Sequence, residues 1–336
     1  MNIYDISRAA GVSIASVSRV MNGAGNVSEK TKQKVMAAIE ATNYRPNAYA
    51  RALGSGSMKT IGIMCSDSTD IYLANAIYYL ETALRKKGYH SILCCTGYDL
   101  KNKKASLDLL RSQQVDAVIM AGSKYVELEP RNNQYIIEAA KHFPIMLING
   151  AIEAENVYAT VCDDGYGTKE AVGKLCGSGC REFIYIYSSD SLSGRNKLAG
   201  LSAGCRECGI GSASFRVVQS GKNYRDVAET LEREYRERPF DAVITSSDTT
   251  GVGAVKFALR RGLSIPEELS IVSFNNSILA ESTVPELTSI DSRLKELCDR
   301  TVRSLMKLLD PGEGESTVPK CTVLRPRIVA RETTRF

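Results

Sequence analysis

The stretch AAGVSIASVSRVMNGAGNVS, residues 9–28, sets one arginine among small side chains and hydroxyls. That pattern suits a short helix docking against nucleic acid. Arg19 carries a planar fork of donors that can take O6 and N7 of a guanine in a major groove about 12 Å wide. Ile14 and Ala15, at the start of the same helix, are placed to touch bases or thymine methyls. Ser7, Ser16 and Asn22 can bond phosphates or bases, and Ser28 joins them as a candidate DNA contact. Val12, Val17 and Val20 supply the opposite, apolar face. The alternative is a plain three-helix cap whose serines face solvent.

Three helices within residues 3–44 would hold these side chains. Gly11 can supply the tight turn of a helix pair, and Ser13 can cap the helix IASVSRVM. Ser28, supported by Thr31, caps a third helix whose apolar stripe is Val35, Ala38, Ile39 and Thr42. Pro46 stops it. NAYARAL then allows another turn or two of helix capped by Asn47, and GSGS at 54–57 reads as a flexible linker. Residues 1–57 carry seven Lys/Arg against three acids, a surplus of four in a chain whose net charge is +5. A small basic module on a nearly neutral body points to a polyanionic partner for the module alone.

From Lys59 the texture changes. Short apolar runs (TIGIMC, HSILCC, DAVIMAG, PIMLING) alternate with amphipathic helical runs, and a second series of similar length follows (EFIYIYSS, FRVVQ, DAVITSS, LSIVSFNN). Buried strands alternating with helices imply α/β architecture: two doubly wound parallel-sheet subdomains, preceded by the small all-α domain. The late helix LKELCDRTVRSLMKLLD and the strands around CTVLRPRIVARE can cross back between them. Ligands in such sheets sit beyond the carboxyl ends of the strands, so the cleft between subdomains is the expected binding site.

Other chemistry finds little support. His90 and His142 stand in no metal or triad spacing, and TTGVGAVKFALRRG lacks the dinucleotide fingerprint. The Cys205/Cys208 and Cys176/Cys180 spacings make a four-thiolate zinc site conceivable, but LAGLSAGCRECG reads as a helix end and the thiols as buried. No metal or cofactor is expected, and no enzyme. No run approaches ~20 apolar residues, so no membrane span is expected. The first residues lack the apolar region of a secretory signal, which suggests a cytoplasmic protein and argues against an exported solute receptor.

The segment from IYDISRAAGVS to YRPNAYARAL closely resembles the DNA-binding headpiece of the LacI/GalR family of bacterial transcription regulators. The match rests on D-x-x-x-x-A-G-V-S, V-S-R-V-x-N, V-S-x-x-T and Y-x-P-N-x-x-A-R-x-L. KTIGIM, DAVIMAG, KLAG and GLSIPEELSIVSFNN extend the resemblance to the family's periplasmic-binding-protein-like core. It implies a helix-turn-helix domain over 1–46, a hinge helix and linker over 47–57, and an effector-binding and dimerisation core over 58–336. The first subdomain is expected over about 58–157 plus 289–318, the second over about 158–288 plus 319–336. By the same resemblance Ile14, Ala15 and Arg19 read bases. Leu53, with Ala50 and Arg51 beside it, is a hinge wedge for the minor groove. The expected partners are a double-stranded, pseudo-palindromic operator of roughly 14–20 bp and a second copy of the chain, with repression the expected mode.

The third partner is a small effector, and here the chain departs from the family pattern. Three polar anchors usual in the cleft, Asp, Arg and Asp, are replaced by Asn149, Lys197 and Asn275. Loss of two carboxylates points to a neutral-to-acidic effector such as a sugar acid or phosphosugar. The alternative is a drifted site with no small effector, or with a protein partner. Tyr72, Leu73, Ser123, Asp164 and Asp248 still match, and Asp163 and Tyr166 lie in the same cleft segment.

Overall fold

A computed structural model describes residues 2–21, 27–42, 57–221, 223–310 and 317–336. Asn22, Ala50, Arg51 and Leu53, with Pro46, Asn47 and the expected hinge helix, lie outside the described residues. The chain divides into two units at Lys59/Thr60.

In the first unit, α1 (Ile3–Ala10) opens on a reciprocal cap. The Asn2 side chain accepts from the amides of Tyr4 and Asp5, and Asp5 accepts from the Asn2 amide. Gly11, in the left-handed region at φ 62°, closes it. Ser13 Oγ accepts the Ser16 amide at the start of α2 (Ile14–Met21). Ser28 Oγ accepts the Thr31 amide at the start of α3 (Glu29–Thr42). Ile6, Ala10, Val17, Val35 and Ala38 form a small core, flanked by Val12, Val20 and Ile39.

In the second unit the apolar runs form two six-stranded sheets. The first sheet contains β1 (Thr60–Cys65), β2 (His90–Cys95), β3 (Ala117–Ala121), β4 (Ile145–Ile148), β5 (Val157–Cys162) and β11 (Cys321–Leu324), in the order β11-β5-β4-β3-β1-β2. The second contains β6 (Phe183–Tyr187), β7 (Phe215–Gln219), β8 (Ala242–Thr245), β9 (Ser270–Phe274), β10 (Thr288–Asp291) and β12 (Arg327–Val329), in the order β12-β10-β9-β8-β6-β7. Every pairing is parallel except β10 with β12. The first sheet is sandwiched between two apolar clusters and the second between two more. Nearly every residue of the inner strands is buried, as helices on both faces require.

Three short passages join the two subdomains, and they lie away from the expected limits. β5 belongs to the first sheet, so the first passage follows Cys162 and not residue 157. β10 belongs to the second sheet, so the return follows Asp291 and not residue 288. CTVLRPRIVARE divides between sheets, β11 in the first and β12 in the second. The physical reason is local: Pro326, with no amide to donate, separates strands of four and three residues. The helix α12 (Leu294–Leu309) does return to the first subdomain. Its stripe Leu294, Cys298, Val302 and Leu305 packs with Leu80 and Leu84.

Candidate DNA-reading helix and effector cleft

On α2 the side chains divide as the DNA-docking reading requires. Val17 is fully buried, while Ile14 is 39% exposed and Ala15 and Arg19 are exposed. The apolar face therefore anchors the helix and leaves its opposite face free of the core. Ser7 lies beside the turn before α2. Its hydroxyl donates to the Val12 carbonyl at 2.6 Å, bracing the turn around Gly11, so its proton is committed within the protein. Ser16 Oγ pairs with Ser13 Oγ at 2.9 Å, and Ser28 Oγ with Thr31 Oγ1 at the same distance. Both serines act first as helix-start residues.

In the second unit, the carboxyl ends of strands from both sheets surround a cavity of about 170 Å³. That is smaller than the roughly 300–1,000 Å³ typical of sites for drug-sized ligands. Tyr72 and Leu73 enter from α4 (Ile71–Lys86), capped by Asp70. Ser123 follows β3, and Asn149 follows β4. Asp164 opens α7 (Asp164–Gly177), and Lys197 lies on α8 (Leu192–Glu207), whose cap is Ser191. Asn275 follows β9.

These side chains are held by one another. Asn149 Nδ2 donates to Tyr72 Oη at 2.5 Å, and its Oδ1 accepts the Cys162 amide at 3.0 Å. Because only an oxygen can accept from that amide, the orientation of the Asn149 side chain is fixed. Lys197, only 6% exposed, donates to the Ser246 carbonyl at 3.0 Å and sits 3.9 Å from the centre of the Phe274 ring. Asp164 is 4% exposed, and burial pushes its carboxyl above the usual carboxylate range, with Lys197 as the main opposing influence. Burial likewise pushes the Tyr72 hydroxyl well up. Asn275 and the following Asn276 have positive φ, 101° and 49°, a region asparagine enters more readily than most residues.

Three expected cleft residues are elsewhere. Asp248, the first residue of α10 (Asp248–Arg261), is 2% exposed and spent on structure. Its carboxylate accepts from the hydroxyls of Ser273 (2.5 Å) and Ser289 (2.7 Å) and from the Ser277 amide (2.6 Å). Asp163 caps α7 by accepting the Tyr166 amide. Tyr166 is 38% exposed, with the Arg325 guanidinium 4.8 Å from its ring centre.

Sequence reasoning missed the serines. Ser66, Ser188, Ser189, Ser191, Ser193, Ser246, Ser247 and Ser292 line the cavity beside Tyr98 and Lys124. Their signal was position: Ser66, Ser188, Ser246 and Ser292 directly follow a strand, where this fold places its ligands. The charge reading also changes, because Asp164 and Asp70 face the cavity along with Lys197 and Lys124. Among the described residues, no three metal-ligating side chains converge. Of the thiols in zinc-like spacing, Cys205 is packed in the core and Cys180 approaches the Asp241 carbonyl.

A head built around an exposed helix bearing Arg19, followed in the chain by a two-sheet core with a polar interdomain cleft, points to a class: DNA-binding regulators. Residues 2–47 match the family model described as bacterial regulatory proteins, lacI family, and residues 172–334 match that of the periplasmic binding protein-like domain. The chain is 45% identical to an HTH-type transcriptional regulator of Lachnoclostridium phytofermentans, over the whole of both chains. It is 31% identical to catabolite control protein A of Staphylococcus aureus, over 100% of this chain and 99% of that one. The lac repressor dimer bound to operator and the anti-inducer ONPF shares the fold, with a TM-score of 0.87 and 22% identity over 99% of each chain. The chain belongs to the LacI family of bacterial regulatory proteins: it is a DNA-binding transcriptional regulator, not an enzyme. Among the described residues, no helix is long and apolar enough to cross a membrane.

Proposed function

We propose that the protein is a cytoplasmic repressor that grips a pseudo-palindromic operator as a homodimer and is controlled by an acid-bearing sugar derivative in the cleft. One observation carries the DNA half: the buried Val17 fixes α2 while Ile14, Ala15 and Arg19 stay exposed on it. One helix-turn-helix offers few contacts, so a twofold pair is needed for tight, specific binding. Ala50, Arg51 and Leu53 are proposed to act at the operator centre, where an apolar wedge offsets unstacking by bending the duplex. Asn22 belongs to the same proposed contact set.

The effector half rests on Lys197 and Asp164. A buried ammonium beside a carboxyl biased towards its neutral form leaves positive charge for an anionic ligand group. Serine hydroxyls from both subdomains suit a polyhydroxylated body. A carboxylate raised by burial loses its proton as pH rises through its folded value. Ligand binding should therefore tighten as pH falls through that value and weaken above it. Calorimetry with hexuronic acids, hexose phosphates and neutral hexoses tests the reading. Acid-bearing compounds should bind, with proton uptake. If only neutral hexoses bind, the effector assignment fails while the DNA assignment stands.

A further inference from the structure

All ten cysteines are free, and the cleft reading uses none of them. Two meet in a particular way. Cys65 ends β1 and Cys95 ends β2, and the two are register partners on neighbouring parallel strands. Their sulfurs are 3.5 Å apart. Neighbouring strands lie about 4.8 Å apart, within the roughly 4.4–6.8 Å that a disulfide spans between Cα atoms. Cys65 is buried and Cys95 exposed, because β2 is an edge strand of its sheet. Cys94, between them in sequence, belongs instead to the apolar cluster on the other face of the sheet.

We infer that Cys65 and Cys95 form a reversible dithiol–disulfide pair at the rim of the cleft, oxidised by low-molecular-weight disulfides. Cys95 is the exposed member of the pair, so its sulfur meets the reagent first and gives its proton to solvent, while burial and the neighbouring thiol push the Cys65 thiol up to about 12. It attacks one sulfur of the reagent RSSR; the Cys95–SR bond forms, the S–S bond breaks and RS⁻ leaves. The expelled thiolate takes the Cys65 proton. Cys65 sulfur then attacks Cys95 sulfur, the Cys65–Cys95 bond forms, and the second RS⁻ leaves and is protonated by solvent. The protein loses two electrons and two protons, and RSSR becomes two RSH.

The bridge would act on the cleft wall. Ser66, which lines the cavity, directly follows Cys65. The amide of Thr96, next to Cys95, donates to the Cys65 carbonyl at 2.9 Å. Thr96 Oγ1 pairs with Tyr125 Oη at 3.0 Å, and Tyr125 closes the short turn that carries Ser123 and Lys124. Drawing the two sulfurs together therefore moves a hydrogen-bonded segment that ends in cavity-lining residues, whatever compound the cavity holds.

The test uses the full chain, incubated undenatured with oxidised glutathione, alkylated and digested with trypsin. Peptide 60–85 should appear linked to peptide 88–101, lighter by the two lost hydrogens, and dithiothreitol should reverse the link. Cys95→Ser should abolish it, Cys94→Ser should keep it, and Cys321→Ser, at the exposed far edge of the same sheet, should keep it too. Hydrogen exchange of residues 122–127 should differ between the oxidised and reduced forms. A product that stops at glutathione on Cys95, a link through Cys94, or a bridge confined to other cysteines would overturn the pair. Unchanged exchange at 122–127 would overturn its connection to the cleft.

Discussion

At the scale of single residues, function separates into side chains left exposed and side chains held in place. Arg19→Ala should keep the fold, since the side chain is exposed. It should cost about 1–3 kcal/mol of operator affinity and relax preference at one base pair of each half-site, read by fluorescence anisotropy on single-base variants. Asp248→Ala should instead act through stability. Two buried hydroxyls and the Ser277 amide would lose a charged acceptor, a loss of about 2–4 kcal/mol in chemical denaturation. Asp164→Asn should abolish the pH dependence of acid-ligand binding; a dependence that persists would assign it to another group. Asp248 shows where sequence reading stops. Its match to the family pattern suggests a ligand contact, but its partners arrive from 25 to 41 residues further along the chain. The Ser7 hydrogen bond is hidden from sequence for the same reason on a smaller scale, its partner being a carbonyl five residues away.

At the scale of elements, the head was legible because its signals are local. Gly11, Ser13 and Ser28 act where the chain turns or a helix starts, and Val17, Val35 and Ala38 fall at helical spacing. The core strands were legible as apolar runs. The crossovers were not, because strands of three or four residues between Pro and polar residues carry too little periodicity to assign to a sheet. Close packing of α7 on α8 depends on Gly200, where an added Cβ would lie 2.2 Å from the Gly165 carbonyl oxygen. Gly200→Ala must push two helix backbones apart and should lower Tm sharply. Gly173, on α7 with open space around its Cα, is the control. Gly173→Ala should raise stability by about 1 kcal/mol through helix propensity. Equal effects in the two variants, measured by calorimetry, would contradict the packing account.

At the scale of the whole molecule, a small basic head and a two-sheet core share one chain, and the account requires two such chains on one duplex. Contacts to phosphates release counterions, so affinity should fall steeply and linearly in log–log form as salt rises. The serine-rich cleft was the least legible feature, since serines after strands look like any polar loop until two sheets place them around one cavity. The most direct measurement is anisotropy of the full-length protein on twofold-symmetric fragments selected from its own genome, with each half-site scrambled in turn. The account predicts a salt-sensitive preference for an intact symmetric fragment and its collapse when either half is scrambled. Affinity that survives scrambling, or no preference for any symmetric fragment, would contradict it.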